Sequence, residues 1–389
     1  MEMHTPTIET VPFRACWMRG GTSKGVFFLE NDLPSARVFQ DEIILSALGS
    51  PDTFGTQMDG LGGATSSTSK AAIVSISERV DCDVNYRFAH VSIRDGVVDY
   101  SGNCGNLAAA VGLYALEEKL VETYPQKVIV SVWQENLQQR LLVEVPTDEE
   151  GSPLQHGDYV ISGVPGSGAR ISVTFETPVP RSFTHVLPTR NPIDYIDVPE
   201  LGSIQVSIIA SGNPTIFVEA DTFGLSGNET PTELNQKPQT LVLIEKVRAS
   251  AAMHAGLISS LSEATLRLAT PKIAIVTKPI SYTSASGQLL NQKAMNICTR
   301  FFSMGKAHHA IPATGAIALA TGACIAGTIP NLLASKPTDK NITIAHAAGL
   351  MELSISVSDK LKVSNAKIHR TARTLMRGEV LARLKITSG

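Results

Sequence analysis

The sequence has no cluster of lysines or arginines anywhere along its 389 residues, and its formal net charge is only −3. Nucleic-acid binding normally leaves a basic stripe that neutralises phosphates, so that class of partner is excluded. Charged residues of both signs are scarce, at 18% against roughly 25% in an average soluble domain. Long apolar runs are missing too: none approaches the roughly 18 residues a membrane-spanning helix needs. The opening MEMHTPTIETVPFRACW is polar and has no apolar h-region, so it does not read as a secretory signal. Cysteine is sparse. Cys16, Cys82, Cys104, Cys298 and Cys324 are odd in number, far apart, and never form C-x-x-C. This excludes a disulfide framework and a structural zinc site, and points to a cytoplasmic protein with free thiols.

What the chain does have is 43% hydrophobic residues, enough for generous burial, and a length that exceeds one compact core. Proline concentrates in ETPVPRSF and LPTRNPIDYIDVP, which marks a boundary. The expected domains are residues 1–185, completed by the C-terminal end of the chain, and residues 186–389.

The order of elements begins again after that boundary. FRACWMRGGTSKGVFFLE reads as strand, turn, strand, and GSIQVSIIASGNPTIFVEA repeats the plan. SGNCGNLAAAVGLYAL and IPATGAIALATGACIAG each place a small-residue helix behind glycine punctuation. Strands read in SKAAIVSISE, VNYRFAHVSI, KVIVSVWQENLQQRLLVEVP, PKIAIVTKP, ITIAHAAGLMELSISVS and KVSNAKIHRTARTLMRGEVLAR. Self-similarity of this kind argues for two pseudo-equivalent halves. The expected class is α+β, with each half a mixed sheet wrapped around one central helix.

In SGNCGN, Asn103 and Gly105 favour a tight turn with positive φ, and the helix is expected to begin near Asn106. Cys104 then sits where backbone N–H groups point outward and the helix dipole is positive. That position favours a thiolate and offers an anion site. The other four cysteines lie in apolar or strand-like surroundings and read as packing residues. The second helix start, HHAIPATGAIALATG, has similar punctuation and no cysteine. Two such helix ends facing one cleft would hold a compact polyanion such as a di- or tricarboxylate without a basic patch. Lys70 follows four hydroxyl residues, Ser66 to Ser69, that could bind carboxylate oxygens beside its amine, and a partly desolvated lysine can serve as a base. GGTSKG, Gly20 to Gly25, has the wrong order and spacing for a phosphate loop, so nucleotide binding is excluded. Lys306, His308 and His309 have no i, i+4 partner or carboxylate to complete a metal set; one histidine could instead donate to an anionic ligand.

MRGGTSKG, DGLGGATSSTSK, SGNCGN, GNPTIF and MGKAHHA follow one another from position 18 to 310. In this the chain resembles the 2-methylaconitate cis-trans isomerase family, whose fold is that of diaminopimelate epimerase, and the resemblance spans nearly the whole chain. It implies Lys70 and Cys104 as the catalytic pair. It implies Arg19, Thr22, Ser23, Ser67, Thr68, Asn103, Gly105, Asn106, Ser281 and His309 as substrate contacts. Aligned with the epimerase's second catalytic turn, IPATGA puts Pro312 where a second thiol would stand, which disfavours a two-thiol racemase.

The implied chemistry is removal of an allylic proton next to a carboxylate. The resulting dienolate rotates about its former double bond, and proton return completes cis-trans isomerisation or shifts the double bond. Lys70 and Cys104 would be base and acid, in an order the resemblance leaves open, reaching opposite sides of one carbon. Helix N–H groups and loop hydroxyls would hold the enolate oxygens. Such chemistry needs no metal, redox cofactor or pyridoxal phosphate. 2-Methylaconitate is the leading substrate; aconitate, methylitaconate and oxalomesaconate are the rivals. A non-catalytic accessory of a dehydratase is the alternative of another class. The resemblance leaves room for a homo-oligomer and for functional pairing with a methylcitrate dehydratase.

Overall fold

The computed structural model describes residues 7–386 apart from 268, 337–340 and 359–360, so the first six residues, on which part of the reading of the N-terminus falls, lie outside it. The chain opens with strands β1 (Thr7–Gly20) and β2 (Ser23–Leu29), helix α1 (Arg37–Leu48), and strands β3 (Lys70–Ile76), β4 (Val84–Val91) and β5 (Val98–Asp99). Helix α2 (Gly105–Glu117) follows, then β6 (Gln126–Gln134), β7 (Gln139–Thr147), β8 (Ile171–Glu176) and β9 (Asp194–Val198). The hairpin β10 (Gly202–Ser211) and β11 (Asn213–Glu219) leads to helices α3 (Pro231–Asn235) and α4 (Pro238–His254) and strand β12 (Lys272–Thr277). A two-stranded ribbon, β13 (Tyr282–Thr283) and β14 (Leu289–Leu290), precedes β15 (Ile297–Ser303) and β16 (Lys306–Ala307). Helices α5 (Ala313–Cys324) and α6 (Ile329–Leu333) and strands β17 (Asn341–His346), β18 (Gly349–Val357), β19 (Val363–Arg370) and β20 (Ala372–Ile386) complete the described chain.

Strand pairing forms one continuous ribbon. It runs β20–β1–β2–β3–β4–β6–β7–β8 and continues β19–β18–β17–β15–β12–β11–β10–β9. The first stretch curls around α2 and the second around α5. Both helices are apolar on every side, which is the signature of a helix enclosed by other elements rather than lying on a surface. Every residue from Gly105 to Leu116 is buried, as is every residue from Ala313 to Gly322. Small side chains let the strands close in, and the two helices share one apolar core.

The repeated plan has a geometric counterpart. The β1–β2 turn presses on the start of α2, where a Cβ at Gly20 would meet Asn106 O at 2.5 Å. The β10–β11 turn presses on the start of α5, where a Cβ at Gly212 would meet Thr314 O at 2.5 Å.

Among the described residues four helices exceed the expectation of one per half, the short α3 and α6 and the longer α1 and α4. Helix α4 lays Ile244, Val247 and Ala251 against the outer face of β9–β12, and α1 lays Ile43, Ile44, Ala47 and Leu48 over β20. Their apolar stripes recur at helical spacing, but their charged outer faces make them look like loops between the strand signals. Cys16, Cys82 and Cys298 are buried as expected, whereas Cys324 ends α5 and is exposed, because the helix leaves the core there.

At Gly112 in the middle of α2, an added Cβ would stand 2.4 Å from Val143 Cγ1 on β7. Alanine gains about 1 kcal/mol of helix propensity, but overpacking a closed core costs roughly 1–3 kcal/mol. Gly112→Ala is therefore expected to lower the unfolding free energy, measured by urea titration of the circular dichroism signal. Equal or higher stability would mean that the strands are free to move away from α2.

Candidate active site

Lys70 is the first residue of β3 and faces His90 across the β3–β4 register. Cys104 is the N-cap of α2. Ser23 opens β2, which runs parallel to β3. These three residues, from three places in the chain, meet at one point. Lys70 Nζ donates to Ser23 Oγ at 3.0 Å and to Cys104 Sγ at 3.4 Å, and the thiol lies 3.7 Å from the same hydroxyl. Lys70 is 7% exposed and Cys104 is 6% exposed. The ammonium stands 5.9 Å from the centre of the Phe88 ring. Strand alternation turns Lys24, the lysine of the first loop, the other way, over the Trp17 ring.

Amine and thiol lie side by side. At 3.4 Å they are in contact, with no room for a carbon between them, which corrects the expectation that they flank one from opposite sides.

Around the pair is a cavity of about 20 Å³, roughly the room of one water. Its wall includes Cys104, Gly105 and Asn106 from the start of α2, and Pro312, Ala313 and Thr314 from the start of α5. Neither helix start has a side-chain cap. The first-turn N–H groups of two helices, of 13 and 12 residues, thus converge on one small space, an arrangement that favours an anion. No aspartate or glutamate lines the cavity, and Lys272 and His308 do. Ser66, Lys272, Ser303 and His308 also border a neighbouring pocket of about 510 Å³, within the size range of small-molecule sites.

Asn103 is buried with both side-chain polar atoms unpartnered. Its backbone is clamped by Asn213 of the β10–β11 turn, which accepts from Asn103 N and donates to Asn103 O, each at 2.9 Å. A buried amide left without partners beside two open helix ends is free to bond a guest. The turn around it differs from expectation: neither Asn103 nor Gly105 has a positive φ. Gly105 is required by packing instead, since a Cβ there would meet Phe175 Cζ at 2.9 Å and Ala313 Cβ at 3.2 Å.

The loop before Lys70 is held by buried side chains. Gln57 donates to Ser50 Oγ and Ser69 Oγ and accepts from Ala64 N, while His90 Nε2 lies 3.1 Å from Ser66 O. Ser67 Oγ reaches His309 Nδ1 at 3.1 Å, linking this loop to the segment before α5, and the His309 ring stacks on His308 at 4.9 Å. Thr68 hydrogen-bonds Thr65 within the loop.

Other expected contacts are brace points. Arg19 donates to Gly21 O, Thr371 O and Thr371 Oγ1, securing the β1–β2 turn to the start of β20. Asn106 donates to Thr22 Oγ1 at 3.1 Å and accepts from Arg370 Nε at 2.9 Å. Ser281 lies apart from the cavity, accepting from Gln292 N at 3.0 Å.

Sequence reasoning missed Lys272, Asn213, His90, Gln57 and Arg370. Lys272 lies in PKIAIVTKP, where the apolar run hides it as a strand residue; a lysine at the mouth of a buried strand was the available signal. Burial above all, and then the charge of Lys70, lowers its pKa from 10.5 to about 7. Burial also pushes His90 and His308 well below the usual histidine range. Among the described residues, no group of three or more His, Cys, Asp or Glu side chains is placed to hold a metal ion. No helix among them is long and apolar enough to cross a membrane.

The family model for PrpF protein matches residues 10–383. The 2-methyl-aconitate isomerase of Shewanella oneidensis is 38% identical, with 94% of this chain and 96% of that one covered. The 3-methylitaconate isomerase of Eubacterium barkeri is also 38% identical, with 93% and 95% covered. A crystal structure of methylitaconate-delta-isomerase matches with a TM-score of 0.76 at 37% identity, covering 96% of each chain.

Lys272 has a consequence for stability. Between about pH 10.5 and 7 the unfolded chain carries its proton and the folded chain does not, so stability falls as the pH drops through that window. Below about pH 7 both states hold the proton and the loss levels off. Replacing even a buried ion pair by apolar side chains can gain roughly 1–4 kcal/mol, and an unpaired amine that gives up its proton on folding leaves a gain of at least that order. Lys272→Met is expected to gain that much at pH 7 and little at pH 10, read from thermal unfolding at both. An advantage that does not change with pH would show that Lys272 is not desolvated.

Proposed function

Because the chain belongs to the PrpF protein family, we propose that its Lys70–Cys104 pair isomerises a small unsaturated tricarboxylate seated across the small cavity and the neighbouring pocket of about 510 Å³, 2-methylaconitate first among candidates, by removing and returning one allylic proton. The observation that carries this reading is the Lys70–Cys104 contact at 3.4 Å beside two uncapped helix starts. The protein is an isomerase, and the sequence similarity to isomerases of 2-methyl-aconitate and 3-methylitaconate runs through nearly the full chain.

The steps follow from the geometry. The substrate carboxylates settle on the N–H groups at the starts of α2 and α5 and on the Asn103 amide. This places the methylene beside the amine–thiol pair. One member of the pair takes an allylic proton, and the electron pair left on carbon delocalises through the former double bond onto a carboxylate, giving a dienolate. The helix N–H groups stabilise the charge that develops on its oxygens. The former double bond is now single and rotates. The pair then returns the proton, to the same carbon for cis-trans isomerisation, or to the far end of the allyl system for a double-bond shift. Ser23, in hydrogen-bond contact with both members, keeps the pair aligned and offers a route for exchanging its proton.

A second reading, the allylic shift of a methylitaconate-type dicarboxylate, has a specific observation behind it, the TM-score of 0.76 to a methylitaconate-delta-isomerase. Three anion-holding groups around the cavity favour three carboxylates over two.

Within the same proposal the chain divides into units 1–185 and 186–389, with β20 completing the first by pairing along β1. The free cysteines support a cytoplasmic setting. Because an unsaturated tricarboxylate arises by loss of water from a hydroxy acid, a dehydratase such as methylcitrate dehydratase is the natural functional neighbour.

Turnover is tested with 2-methylaconitate, cis- and trans-aconitate, 3-methylitaconate and oxalomesaconate, followed by absorbance and by proton NMR in D2O. Deuterium should enter the allylic position of the true substrate. Lys70→Met and Cys104→Ser should each lower kcat by about 10²–10⁴. The double variant should be no slower than the worse single one, because the two act as a unit. Losses that multiply would separate their roles, and no turnover of any panel member would overturn the isomerase reading.

A further inference from the structure

Lys272 is used by nothing in the mechanism above, yet it borders both the cavity and the larger neighbouring pocket. It begins β12, in register with Thr215 of β11. Its Nζ donates to Ser303 Oγ at 3.2 Å, and among the described residues it has no carboxylate partner. The charged and titratable groups that face it come from every side: Lys70 on β3, His90 on β4, Asp99 on β5, Cys104 at the start of α2, Arg248 on α4 and His308 before α5. Asp99, the one carboxylate among them, is occupied elsewhere, accepting from Ser101 N, Ser101 Oγ and Ala269 N. Arg248 is held by Glu245 and by the carbonyls of Ala264 and Pro271. Two lysines therefore share one desolvated space; Asp99 acts on Lys272 only at a distance, and among the described residues no carboxylate pairs with it.

We propose that Lys272 is the receptor for a substrate carboxylate remote from the reacting methylene, an anion-holding corner added to the two helix starts and the Asn103 amide. The inference rests on the tricarboxylate reading above. A buried amine without a counter-ion is costly to charge, and a bound carboxylate removes that cost. Binding is thus coupled to proton uptake: the ε-amine gains N–H and becomes an ammonium as the carboxylate arrives, with the proton drawn from solvent. Lys70 is already committed to Ser23 and Cys104, so the two lysines divide the work. Lys272 fixes the far end of the substrate and Lys70 belongs to the reacting end. Lys272 is accordingly a positioning and specificity residue, and its loss should appear in KM rather than kcat.

The test is calorimetric binding of trans-aconitate at pH 8 in buffers of different ionisation enthalpy, which yields the number of protons taken up. The wild-type protein should take up about 0.9 proton more than Lys272→Met, since a group titrating near 7 is mostly neutral at pH 8. The difference between the two proteins reports Lys272 together with its effect on His90 and His308. Lys272→Met should bind about ten- to hundredfold more weakly. Lys272→Arg, which keeps its charge at all working pH values, should restore much of the affinity and lose the proton uptake. For turnover, Lys272→Met should raise KM by the same factor with kcat within about threefold. Affinity and proton uptake that are unchanged in both variants would overturn the assignment. A wild-type protein that neither binds nor turns over any member of the panel would instead overturn the functional reading on which it rests.

Discussion

Two helices enclosed on all sides by strands must end somewhere, and where they end they expose N–H groups that the helix itself cannot satisfy. In most proteins a serine, threonine or aspartate at the N-cap meets that need. Here the N-caps are Cys104 and Pro312, and neither caps its helix. The rest of the site follows from that deficit. The small residues that allow complete burial of α2 and α5 also let their starts approach within van der Waals contact, through Gly105 and Ala313. The deficits of two helices are thereby added in one space. An anion with several acceptor groups is the natural guest of such a space, and a protein with net charge −3 can hold it without a basic surface.

The second consequence concerns the lysines. A cavity built for an anion tolerates buried amines only because the guest supplies the negative charge. Lining it with aspartate or glutamate would stabilise the amines and repel the guest. The absence of acidic residues from the wall is thus a requirement of binding, and its cost falls on the empty protein, where Lys272 is held far below its ordinary titration range. Stability is lost at a functional site and recovered in the all-apolar core behind it.

Much of this was legible in the sequence because it rests on local pattern. The helix starts, Cys104 and the order of strands along the chain could be read from glycine punctuation, residue type and period, whereas the pairing of Lys70 with Cys104 came from the family resemblance. Gly105 was noticed for the wrong reason: the sequence shows that a glycine is there, and only the fold shows that Phe175 and Ala313 need its missing side chain. Lys272 and Asn213 were not legible as site residues, because their roles depend on β12 and the β10–β11 turn meeting elements more than a hundred residues earlier in the chain. The side-by-side arrangement of amine and thiol was also beyond reach, since it is set by the parallel register of β2 and β3, which brings Ser23 beneath both. Helices α1 and α4 lie outside the repeated plan, so a reading guided by repetition passes over them.

The residue at the start of α5 decides what kind of proton chemistry the fold supports here. Cys104 and Pro312 occupy the same place in the two helix–sheet units, each the residue before an uncapped first turn lining one cavity. An enzyme that inverts a stereocentre needs a proton carrier on each face of one carbon, one to remove and one to deliver. Proline has no ionisable group and no N–H, so the position equivalent to Cys104 carries no thiol to exchange a proton. On the assignment proposed above the reacting proton is exchanged at the Lys70–Cys104–Ser23 contact, and a proton that leaves through that contact returns to the same face of the substrate. Such a site cannot invert a tetrahedral carbon by direct exchange. It can isomerise an alkene, because the stereochemical change there is rotation about a bond in the dienolate and asks nothing of the opposite face.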